Sequence, residues 1–181
     1  MERRIHEKCA HMLKDTTNTT WVGFIGIDEF LVLRQHDHVV DFLQEYCPQG
    51  SITFNWLMFG SSNHTFYRNF PVTQRFQYRV DEVNPHIKSL VKLEDMDFHH
   101  SSFTRGELAV HNFKLHPGKT QKDTNGKVFE GPWNENGPID VVALYHFFTR
   151  SKSEFNTKAC VLGQVKGTKP HCKLRFVWCH A

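Results

Sequence analysis

The stretch Trp21-Val-Gly-Phe-Ile-Gly-Ile-Asp-Glu-Phe-Leu-Val-Leu33 decides how this chain is read. An apolar run reaches Gly26 and Ile27 and stops at two adjacent carboxylates, Asp28 and Glu29. Apolar residues on both faces over 21–27 predict a central strand covered on both sides. Burying a carboxylate is costly, so an acidic pair at the end of such a strand calls for a partner. At the carboxyl end of a parallel strand, side chains face the crevice where α/β proteins bind ligands. Carboxylates there suit a hard divalent cation, and Mg²⁺ or Mn²⁺ carries a diphosphate. The alternative is a strand ending in an N-cap-like Asp and a solvated Glu.

Working outward, residues 3–14 read as a helix with Ile5, Cys9, Met12 and Leu13 on one face. Asp37 is a candidate N-cap for a helix through Val39–Tyr46, which the Pro48-Gln49-Gly50 breaker ends. Residues 51–59 predict a strand and 60–64 a turn. Residues 71–80 fit strand or helix, and Pro85 ends that segment. Residues 86–93, 107–115 and 138–148 read as strands. The chain from 116 to 138 is rich in Gly, Lys, Asn and Asp and predicts a surface loop, long enough to be a lid or an insert. Ser151 with Glu154 forms a capping box for a helix over 151–159, and 172–181 is a candidate edge strand. Strands alternate with helices, so the class is α/β.

Composition limits the functions. The chain has 181 residues, 39% apolar and 23% charged, which suits a folded domain. Net charge is +3 and the basic residues are scattered, so no nucleic-acid arm is expected. No run is long and apolar enough to cross a membrane. The five cysteines form no CxxC pair. Sequons at Asn18 and Asn63 permit a secretory location.

Several side chains carry candidate chemistry. His36-Asp37-His38 could pinch a metal or simply precede a helix. His99, His100, His111 and His116 are unranked candidates. His146 closes an apolar strand just before Thr149-Arg150-Ser151, at the ligand-facing edge of a parallel sheet or as a satisfied core histidine. The turn Gly60-Ser61-Ser62-Asn63-His64 offers donors to a sugar or phosphate. Trp56 could stack on a sugar ring or belong to the core. Arg75, Lys88 and Arg150 could neutralise a phosphate or be surface charges.

Five separated motifs then fall in one order. They are Trp21-x6-Asp28-Glu29-Phe30; Asn55-Trp56-x2-Phe59-Gly60-Ser61-Ser62-x-His64; Gln74-Arg75-Phe76; Lys88-Ser89-Leu90-Val91; and His146-Phe147-Phe148-Thr149-Arg150-Ser151-x2-Glu154-Phe155-x2-Lys158. Together they resemble glycosyltransferase family 92 and similar bacterial and algal family-2-like glycosyltransferases. The resemblance implies the GT-A fold, a mixed Rossmann-like sheet flanked by helices. It implies transfer of a sugar, galactose among the donors, from a UDP-sugar to a glycan acceptor with Mn²⁺ (or Mg²⁺) and inversion. It makes Asp28 and His146 the metal ligands. It makes Trp56, Gly60, Ser61, Ser62, His64, Arg75, Lys88 and Arg150 the donor- and acceptor-binding residues. Glu29, Asp81 and Glu82 are the candidate bases.

Two departures stand out. Family members read Asp-x-Asp-Glu-Phe, and position 26, the first Asp, is glycine here. The strand–helix half that binds the nucleotide in family members is also expected to be missing ahead of residue 1. Residues 1–181 would then form a single partial domain. A full-length form would sit at Golgi or secretory membranes in a eukaryote and in the cytoplasm of a bacterium. The alternative to an enzyme is therefore an impaired remnant or binding module of the family. A histidine-rich metalloenzyme is a third class, resting on 13 histidines alone.

Overall fold

The strand expected over 21–27 stops at Gly23. A Cβ there would lie 2.4 Å from the Leu90 side chain and 2.9 Å from the Ser89 carbonyl, so only glycine lets the neighbouring strand approach so closely. In the computed structural model, which describes residues 2–16, 18–98 and 111–162, the opening stretch is two strands. Trp21–Gly23 is β1 and Glu29–Leu33 is β2. The others are β3 (Ser51–Met58), β4 (Asn84–Lys92), β5 (Gln121–Lys122) and β6 (Val142–His146). The helices are α1 (Glu2–Thr16), α2 (Val39–Tyr46), α3 (Val72–Arg75) and α4 (Lys152–Leu162). The α/β expectation holds.

The sheet runs β1-β4-β3-β6-β2, with β5 beside β3. Among the described residues only β3–β6 and β3–β5 are parallel. β1 and β2 therefore lie at opposite edges, although five residues separate them. Four strand spacings of a flat sheet are ~19 Å, whereas six residue steps reach ~20 Å only when straight. Glu29 N–H donates to the Gly26 carbonyl (3.0 Å), and that turn shortens the link. The sheet curls so that its edges come within reach. Because β2 begins opposite His146, the link ends at the carboxyl ends of β3 and β6. This corrects the placement of Asp28 and Glu29. They do not end a parallel strand: Asp28 lies in the crossing turn, and Glu29 opens an antiparallel edge strand.

The chain forms two compact units. The first holds the sheet, running up to Met58 and again from Val80 to His146. In it, Ala10 of α1 packs with Val22, Val91 and Met96. Phe42 and Leu43 of α2 pack with Ile52, Phe54 and Leu144, and Leu90 flanks them. Leu90 and Val91 are neighbours on β4, so they point to opposite faces and the two helices cover opposite sides. The residue flanking α2 is His38, not Asp37: His38 is extended (φ −125°, ψ 137°) and makes no side-chain cap bond. Pro85 lies inside β4 rather than before it. The register shift at Asn55 and Trp56 accommodates a residue that lacks a donor. Gly50 (φ 71°) closes the turn after α2, where a Cβ would lie 2.1 Å from the Thr120 carbonyl. Its N–H donates to buried Asp95 (2.6 Å).

The 116–138 segment carries β5 and a buried polar knot. Asp123 accepts from the N–H groups of Asn125 (3.0 Å) and Lys127 (3.1 Å). The Asn134 amide donates to Asp123 (3.0 Å), and the Asn55 amide donates to the Asn134 carbonyl (2.7 Å). In the expected 107–115 strand, the described part makes only isolated bridges such as Met96–Leu115, because its neighbour there is a 3-10 turn. Residues 107–110, His99, His100 and the 172–181 tail lie outside the described residues.

The second unit holds Phe59–Arg79 and Phe147 onward. The ambiguous 71–80 segment contains the single-turn helix α3. The capping box is present. Glu154 N–H donates to Ser151 Oγ (3.4 Å), and Ser151 N–H donates to Glu154 Oε2 (3.2 Å). Ser151→Ala is expected to cost about 1 kcal/mol. Urea unfolding checks this, and an unchanged midpoint would remove the cap from the account.

Candidate active site

The site starts from the crossing turn. Gly26 and Glu29 hold each other twice: Glu29 N–H donates to the Gly26 carbonyl, and Gly26 N–H donates to Glu29 Oε2. Ile27 sits at the tip, 94% exposed. The turn leaves Asp28 Oδ1 3.6 Å from Nε2 of His146, the last residue of β6. Glu29 faces inward and is buried, its Oε2 3.6 Å from Nζ of equally buried Lys88 on β4. Each charge of that pair is the reason the other can be buried.

Rings fill the space behind the pair. Trp56 of β3 meets His146 edge-on, with centroids 4.3 Å apart. It lies flat against His86 of β4 (4.7 Å, 9° between planes) and touches His111 (5.2 Å). Buried Trp56 Nε1 has no hydrogen-bond partner among the described residues. The His111 ring is bonded through Nδ1 at the Ile87 carbonyl. Burial, helped by nearby Lys88, pushes its pKa down to about 4. Burial, with a smaller push from His146, also lowers that of His86. His111 is therefore a neutral ring at neutral pH.

Two ligands each ~2.1 Å from one divalent cation stand ~3–4 Å apart, depending on the angle between them. Asp28 and His146 meet that span. Two such groups could hold a cation only together with further ligands, such as substrate phosphates. Among the described residues no group of three His, Cys, Asp or Glu side chains is arranged around a metal. His36 serves α2 instead: Nε2 lies 2.9 Å from Glu45, and the ring packs edge-on against Phe42 and Tyr46.

The structure brings together Asp28, Glu29, Trp56, Lys88 and His146 from the sequence candidates. Asp81 and Glu82 are exposed ahead of β4. The remaining donor- and acceptor-binding candidates belong to the second unit. There Ser62 (φ 46°) accepts at Oγ from the N–H groups of Gln77 (2.9 Å) and Tyr78 (3.1 Å). The carbonyls of His64 and Thr65 accept from Lys152 and Ser153 N–H at the start of α4. Gly60, Ser61, Ser62 and His64 thus build the turn that caps a helix. Arg75 binds Glu154 through two bonds (2.7 and 3.2 Å). Burial opposes the Glu154 carboxylate, but the bonds from Arg75 and Ser151 outweigh it and hold its pKa low. Arg150 adopts φ 54° just before the Ser151 cap. His86 and Trp133 escaped the sequence reading. A lone Trp between Pro132 and Asn134 in an otherwise polar segment was the available signal.

A curled mixed sheet flanked by helices is consistent with a glycosyltransferase domain. The chain belongs to glycosyltransferase family 92, whose model matches residues 4–112. No curated protein matches it. Sugar transfer is the chemistry that goes with this family.

Two outcomes test the buried electrostatics. Unfolding leaves His111 with a pKa near 6.5. Between about 6.5 and about 4 the unfolded chain takes up a proton that the folded one refuses. Stability should fall by about 3 kcal/mol as pH drops through that window, and His111→Gln should flatten the loss. Equal acid slopes in urea titrations of the two proteins would contradict this. Glu29→Ala should cost about 3 kcal/mol by stranding Lys88, and adding Lys88→Met should recover most of it. If Glu29→Ala is as stable as the wild type, the pair is not structural.

Proposed function

We propose that this chain moves a hexose, with galactose the sugar named by the family resemblance, from a UDP-sugar to a glycan acceptor with inversion. Mn²⁺ or Mg²⁺ would sit between Asp28 and His146. The observation that supports this is the 3.6 Å Asp28–His146 contact at the carboxyl ends of β3 and β6, in a chain of family 92. A cation there would stabilise the charge of the departing nucleoside diphosphate. Asp28 would supply an oxygen and His146 a nitrogen to such a cation. The Trp56 indole N–H is a buried donor that an oxygen of the ligand would satisfy. Inversion needs a carboxylate to take the proton of the acceptor hydroxyl. Glu29 is engaged with Gly26 and Lys88, whereas Asp81 and Glu82 face solvent, where an acceptor arrives.

One observation favours a second reading, a chain of this family that holds its ligand without turning it over. A Cβ at Gly26 would lie 3.0 Å from Glu29 Oε2 and 3.3 Å from Asp28 Oδ1. The side chain that is missing at position 26 would therefore enter the carboxylate cluster. Both neighbours are flexible side-chain ends, so an Asp fits there after a small shift.

Calorimetric titration of UDP with and without Mn²⁺ separates the readings. The first expects Mn²⁺ to tighten UDP binding, and Asp28→Ala or His146→Ala to remove at least about tenfold of that gain. If Mn²⁺ affects only Gly26→Asp, the second reading stands. If Mn²⁺ affects neither protein, the metal assignment to Asp28 and His146 is wrong.

A further inference from the structure

Trp133 is 46% exposed, yet its backbone is fixed. Residues 86 and 133 form an antiparallel bridge. Asn134 N–H donates to the Pro85 carbonyl (2.9 Å), and Ile87 N–H donates to the Pro132 carbonyl (3.3 Å). The buried Asn134–Asp123–Asn55 knot anchors the next residue. The indole is thus presented at a set position rather than on a loose tip.

Its ring is also the outermost of a row. Trp133 lies against His86 with centroids 4.0 Å apart. His86 stacks on Trp56, Trp56 meets His146, and His146 faces Asp28. Trp56 is half-buried and its flat face is occupied by His86, so the sugar-stacking role expected of Trp56 has no open ring face on that side. Trp133 has the open surface that Trp56 lacks, and it is joined to the same cluster.

The geometry points to Trp133 as the platform on which a hexopyranose ring stacks, at the outer end of the row of rings that leads to the Asp28–His146 pair. The inference rests on the sugar-transfer reading and adds a binding residue to it. A pyranose has an apolar C–H face and a rim of hydroxyls. An indole covers that face while the hydroxyls stay free to hydrogen-bond at the edges. Trp133 is followed by exposed Glu135 and Asn136, polar residues suited to such a rim. The sugar belongs either to the donor or to the glycan acceptor. The chemistry is shared, and the experiment tells the two apart.

The whole chain, ¹⁵N-labelled at tryptophan, is titrated in Mn²⁺ with UDP, UDP-galactose and lactose. The Trp133 indole signal is assigned with Trp133→Phe. The signal should shift with UDP-galactose or with lactose, and not with UDP. A shift with UDP-galactose alone marks the donor sugar, and one with lactose marks the acceptor. Trp133→Ala should weaken the sugar that causes the shift roughly tenfold, and Trp133→Phe by much less. A signal that neither sugar moves overturns the platform, as does a shift with UDP as large as with UDP-galactose. If UDP moves other indole signals while Trp133 stays still under both sugars, the platform fails and the nucleotide-sugar reading survives. If no indole moves and no heat of UDP binding is found, both fail.

Discussion

One short piece of chain sets the geometry of the first unit. Gly23 and Glu29 sit on opposite edges of the sheet, and the link between them contains a turn. So short a link cannot join the edges of a flat sheet. Curling the sheet solves the problem and brings the link to the carboxyl ends of β3 and β6. Asp28 meets His146 there because the link has no slack to go elsewhere. Gly23 admits β4 at one end of the link, and the Gly26–Glu29 bonds close it at the other.

Beneath that turn the unit buries charge and imidazole together. Glu29 and Lys88 neutralise each other, and neutral His111 lies beside Trp56. These groups are costly to bury singly and tolerable as a set. Glu29 is engaged with Gly26 and Lys88, and Asp28 and His146 form the pair at the crossing. A row of rings runs from Trp56 through His86 to Trp133.

Local signals were legible wherever the physics was local. Ser151 and Glu154 bond each other across one turn, so the capping box could be read from their spacing. His146 at the end of an apolar run was placed at a parallel strand end, and β6 is parallel to β3. Asp28 was assigned to the right end of the sheet for the wrong reason, since strand direction depends on partners distant in sequence. The Gly60–His64 turn has the donors and small residues of a ligand loop, and in the structure the His64 and Thr65 carbonyls accept from the first N–H groups of α4. His86 and Trp133 could not be found, because 47 positions of chain separate two rings that touch.

By itself the sequence determined the α/β class, the capped helix and the family, and it named Asp28 and His146 as candidates. Each of these is written in spacing, in residue type or in ordered motifs, which survive without knowledge of contacts. Only the tertiary structure decided that β1 and β2 lie at opposite edges, that Glu29 is spent on Lys88, and that an exposed indole ends the row of rings. Those facts depend on which distant segments pair, and pairing is settled by packing the whole sheet at once.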